Sequence, residues 1–105
     1  MIRSFSYAAF TGLDRYIASQ PEGAPIHDAV TLGAWATLWQ NAASSHFLRA
    51  YRETISANPA ILPDPQQAQA LLEAYLLEKA LYETLYELNN RPAWVRIPLA
   101  GILSL

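Results

Sequence analysis

Apolar residues return at three- and four-residue steps along almost the whole chain, and nowhere do they alternate as a half-buried strand requires. Four helical stretches follow. The first is expected over 2–19, where Ile2, Phe5, Ala9, Leu13 and Tyr16 recur with helical period. Gln20-Pro21-Glu22-Gly23-Ala24-Pro25 breaks it with two prolines and a glycine. The second and longest, over 26–57, places Val30, Ala34, Leu38, Phe47, Leu48, Tyr51 and Ile55 at expected buried positions. Trp35 and Trp39, four apart, share one face and are expected to pack on a neighbour.

Asn58 to Pro63 forms an irregular connector, and Asp64-Pro65-Gln66-Gln67 is a start signal for a third helix over 64–89. Asp64 suits the N-cap, Pro65 the first helical position, and Gln67 the return half of a capping box. Arg91-Pro92 stops this helix, because a proline pushes the residue before it out of the α region. A short apolar helix over 98–104 closes the chain. The expected fold is all-α: one small bundle, spanning 1–105, of three long helices and a short C-terminal one.

The third helix has two unlike faces. Ala70, Ala74, Leu77, Leu81 and Leu88 form an apolar side expected to be core. At 100° per residue, Leu72, Tyr75, Lys79, Tyr82, Glu83, Tyr86 and Asn90 fall in a fan of roughly 100° on the other side. Three tyrosines beside a lysine and a carboxylate offer flat amphipathic rings next to hydrogen-bonding groups. That combination suits a polyhydroxylated ligand or a protein interface.

Composition narrows the classes. Hydrophobic residues make up 52% of the 105-residue chain and charged residues 15%, against about 25% charged in an ordinary soluble protein. A small domain has proportionally more surface to cover with polar groups, so this chain is expected to bury a face against something, either a larger protein or another copy. The net charge of −2 and the lack of a basic stripe give no footprint for nucleic acid. There is no cysteine, and no apolar run approaches the roughly 20 residues of a membrane span. A cytoplasmic location is the default expectation.

Few residues have the spacing that catalysis or metal binding needs. His27 and His46 are the only histidines, and their separation is not the i, i+4 pairing of a helical zinc site. No metal site and no catalytic residue is expected. Ser44-Ser45-His46 lacks the elbow of a hydrolytic serine, and the four glycines are too scattered for a phosphate loop. Glu83 and Glu87, four apart, either share a ligand or serve structure, Glu83 through an i, i+4 pair with Lys79 and Glu87 in solvent. Arg91 either clamps Glu87, reaches a ligand, or satisfies the last helix carbonyls.

Three segments carry a resemblance. Glu78-Lys79-Ala80-Leu81-Tyr82-Glu83, Tyr86-Glu87-Leu88-Asn89-Asn90-Arg91-Pro92, and Trp94-Val95-Arg96-Ile97-Pro98-Leu99 with Gly101-Ile102-Leu103 resemble the C-terminal end of bacterial maltokinases, which occur alone or fused behind trehalose synthase. Met1-Ile2-Arg3-Ser4-Phe5-Ser6-Tyr7-Ala8-Ala9 and Phe47-Leu48-Arg49-Ala50-Tyr51 extend the similarity toward the beginning of the chain. Thr84 and Ala93 depart from the more polar residues expected of relatives. The resemblance implies the terminal helical part of a protein-kinase-like C-lobe, in an enzyme that phosphorylates maltose to maltose 1-phosphate with ATP and Mg. It further implies that Tyr82, Glu83, Tyr86, Glu87, Arg91 and Trp94 belong to a maltose-binding wall. No nucleotide-gripping lysine on a strand and no catalytic aspartate loop has a candidate here, so no cofactor is expected on this chain itself. Its expected partners are the missing catalytic portion of the kinase and maltose or a related disaccharide, with self-association when isolated. The alternatives are a free-standing helical interaction module and a degenerate remnant with no ligand.

Overall fold

The computed structural model describes residues 1–23, 28–62 and 64–105, and among them the chain is all-α with no strand. Four helices follow in order: α1 (Ile2–Ser19), α2 (Ala29–Ile55), α3 (Pro65–Asn90) and α4 (Arg96–Leu103), with a 3-10 turn at Pro92–Trp94 between the last two. Ala24, Pro25, Ile26, His27 and Pro63 lie outside the described residues, so the expected start of the second helix and one candidate histidine fall there. Contacts cluster into two compact units, Met1–Phe47 and Leu48–Leu105. No helix among the described residues is long and apolar enough to cross a membrane.

In the first unit, Phe5 of α1 meets two rings of α2 edge-on. Its centroid lies 6.3 Å from that of Trp39 and 6.0 Å from that of Phe47. Such edge-to-face pairs satisfy the ring quadrupoles as well as burying area. Trp39 thus has the expected neighbour, while Trp35 and Trp39 are both more than half exposed, at 64% and 52%. Val30, Ala34 and Leu38, expected in the core, are also exposed. Two helices can cover only one stripe of each other, which leaves the remaining apolar positions facing water. On α1 the buried residues are polar: Arg3 Nη1 donates to Ser6 Oγ at 3.3 Å.

α2 begins one residue after Asp28, whose carboxylate accepts from the Val30 amide at 3.1 Å and whose carbonyl takes the Leu32 amide. Asp64 does the same for α3, accepting from the amides of Gln66 and Gln67 at 2.9 and 3.3 Å, with Pro65 at the first helical position. The Gln67 side chain makes no return bond, so only the aspartate half of the expected capping box exists.

In the second unit α3 packs against the 3-10 turn and α4. Ala80, Ile97 and Pro98 are buried. The face turned inward is the one that carries Ala80, Glu83 and Glu87. This corrects the expected core side of α3: Leu77, Leu81 and Leu88 are 40–56% exposed, and Leu85 is 63% exposed as well. No described element of this unit covers them, because the chain after Asn90 folds over the opposite side.

Asp64→Ala should destabilise the chain by about 1 kcal/mol, the usual cost of losing an N-cap. Gln67→Ala should cost no more than about 0.5 kcal/mol. Urea unfolding followed by helical circular dichroism checks both values, and equal losses would mean that a full capping box operates.

Candidate functional site

The exposed side of α3 carries a run of alternating cations and rings. Tyr75, Tyr82 and Tyr86 are 64%, 61% and 45% exposed. Their spacing of four and seven residues keeps them in register along the helix. Lys79 Nζ stands 4.7 Å from the centroid of the Tyr82 ring. The Tyr82 and Tyr86 rings lie 6.5 Å apart and close to parallel, at 22°. Arg91 Cζ continues the series at 5.5 Å from the Tyr86 ring and 4.2 Å from the Trp94 ring. Among the described residues Lys79 turns onto the Tyr82 ring and not into the expected ion pair with Glu83.

Beside this ladder Tyr75, Glu78, Lys79 and Tyr82 line an open hollow of about 420 Å³. Its floor is aromatic, and its rim holds an ammonium and a carboxylate. Rings of this kind cover the C–H faces of a sugar, while the charged rim groups exchange hydrogen bonds with its hydroxyls.

The two glutamates turn the other way. Glu87 is 1% exposed, and Arg91 grips it with both arms of the fork: Nε donates to Oε2 at 2.9 Å and Nη2 to Oε1 at 2.8 Å. A bidentate guanidinium–carboxylate pair of this length is among the stronger polar contacts a protein makes. Arg91 thus clamps Glu87, as one of its three readings expects. Glu83 is buried as well, beside Ala80 on the inward face.

The six residues singled out from the sequence therefore separate into two groups. Tyr82 and Tyr86 present their rings to solvent. Glu83 and Glu87 lie beneath them, while Arg91 and Trp94 form the corner that ties the ladder to the chain after α3. Arg91 sits with φ −145° and ψ 70°, outside the helical region as a residue before proline must be. Its amide still closes the last turn of α3 on the Glu87 carbonyl at 2.8 Å. Tyr75 and Lys79 were legible in the helical fan, and Lys79 also lies in the first segment of the resemblance.

Among the described residues no group of three or more His, Cys, Asp or Glu side chains could hold a metal ion. No protein-family model matches the chain, and no solved structure matches it.

Arg91→Ala takes both fork bonds from the buried Glu87 carboxylate. The Arg91 side chain is 45% exposed, so water recovers part of the loss, and a cost of about 2–3 kcal/mol is expected, below the 3–5 of a fully buried pair. A double-mutant cycle with Glu87→Gln should return a coupling of about 1.5 kcal/mol or more, whereas Lys79→Ala should cost less than about 1 kcal/mol. Denaturant titration of the five chains measures these terms.

Proposed function

We propose that the tyrosine face of α3 is one wall of a disaccharide site, and that this chain is the C-terminal helical part of a maltokinase C-lobe. In this reading the catalytic portion, with its nucleotide and metal ligands, is a separate part of the enzyme. The chain phosphorylates nothing alone. What carries the reading is the pair of near-parallel, exposed Tyr82 and Tyr86 rings held in place by Lys79 and Arg91.

Each residue then has a task. Tyr75, Tyr82 and Tyr86 stack on the sugar, and Lys79 and Glu78 exchange hydrogen bonds with hydroxyls. Glu87 and Arg91 act from beneath as positioning residues, and Trp94 backs the Arg91 plane. Glu83 stiffens the inward face. The resemblance in Glu78–Glu83, Tyr86–Pro92 and Trp94–Leu99 supports maltose as the sugar and maltose 1-phosphate as the product of the whole enzyme.

A helical interaction module is the second reading, favoured by the exposed Leu77, Leu81, Leu85 and Leu88. The two readings separate experimentally. Maltose titrated into the chain to about 50 mM, where roughly 2 kcal/mol of binding registers, should shift amide resonances between Tyr75 and Trp94. Cellobiose should shift them less, and Tyr82→Ala should remove the effect. A folded spectrum with no shift in that stretch overturns the sugar reading. Leu81→Glu with Leu85→Glu should leave helix content unchanged and abolish self-association in sedimentation, an outcome expected on either reading, so the maltose titration is what separates them.

A further inference from the structure

We infer that the cleft between the end of α2 and the start of α3 binds a small amphipathic carboxylate. The site shares Tyr75 with the tyrosine ladder but none of its other residues, and it does not depend on the sugar reading. The cleft measures about 310 Å³ and is lined by aliphatic side chains, among them Leu48, Ile61, Leu62 and Leu72, and by the rings of Tyr51 and Tyr75. That volume lies at the lower end of the roughly 300–1,000 Å³ of ligand pockets, so its occupant has a short alkyl or single-ring body.

One lining residue is ionised, and it decides the polar end of the ligand. Arg52 carries five N–H donors, and its partner among the described residues is the neutral Oε1 of Gln69, at 3.0 Å from Nη2. Gln69 in turn donates from Nε2 to Glu73 Oε1 at 2.8 Å. An amide therefore stands between the cation and the nearest acid of this relay, and Arg52 has no carboxylate of its own among the described residues. The contrast with Arg91, which holds Glu87 through two bonds, is direct. A guanidinium edge beside an apolar cleft matches a planar monoanion with a hydrocarbon body. Glu73 at the far end of the relay, and the lack of a second cation in the lining, select a single negative charge over a phosphate dianion.

The test is a titration of octanoate into the full chain, followed by amide resonances and by the Arg52 Nε–H signal. Saturable shifts are expected at Ile61, Leu62 and Leu71 and at Arg52 itself. Arg52→Gln should weaken binding about tenfold or more, the worth of a charge-assisted bond, and Arg52→Lys should keep part of it. Octanol, equal in chain length but uncharged, should bind at least about tenfold more weakly to the unaltered protein. Ala68→Leu fills the cleft while sparing Arg52 and should block binding. Tyr82→Ala should leave octanoate binding unchanged, so that loss of the sugar reading and loss of this one are told apart. Octanol matching octanoate, an Arg52→Gln chain that binds as before, shifts as large at Leu81 and Leu85 as in the cleft, or no saturable shift at all would each overturn the proposal.

Discussion

The second unit depends on one buried carboxylate having its cation. Glu87 is 1% exposed, and burying it alone would cost several kcal/mol. Arg91 removes that cost because it sits one turn later, at the residue where α3 must end. Its backbone leaves the helix before Pro92 while its side chain folds back to both oxygens of Glu87. The direction of the exit is thereby fixed, and with it the placement of the 3-10 turn and α4 over Ala80. A lysine here would offer a point charge without the planar fork and would not lie flat on Trp94 as Arg91 does.

The same guanidinium joins the interior of the unit to its surface. One edge faces the carboxylate and its planes face aromatic rings, so rigidity gained at the helix end extends to Tyr86 and through it to Tyr82. Exposed aromatic side chains ordinarily sample several rotamers, and immobilising them on binding costs affinity. Here the neighbouring cations limit that freedom before any ligand arrives. The Arg52 cleft works on a different basis, since among the described residues its guanidinium is held by the neutral amide of Gln69.

How much of this was legible in the sequence varies by element. The limits of α1, the cap at Asp64 and the stop at Arg91-Pro92 follow from local rules, and all three are present. Asp28 obeys the same rule and was overlooked because apolar periodicity extends before it. The inward side of α3 was not legible. Hydrophobicity ranks Leu77, Leu81 and Leu88 above Ala80, Glu83 and Glu87, yet burial goes to the side over which the chain returns after Asn90. That choice is made by a turn and an ion pair, neither of which has a period. For the site, the aromatic fan was visible as a helical projection, but the inward turn of the two glutamates was not. The projection placed Glu83 among the tyrosines, and an angle on a wheel does not reveal which neighbour lies above it.

The leucine stripe has a consequence for how this chain tolerates change. Leu81 and Leu85 rest largely against water, so the fold itself exerts little pressure to keep them apolar. An unopposed leucine drifts readily to glutamine or lysine over generations, whereas one pressed against a surface does not. Variation among descendants of this gene at those positions, compared with that at the equally exposed Gln66 and Glu73 of the same helix, would record whether the stripe has spent its history in solvent or in contact.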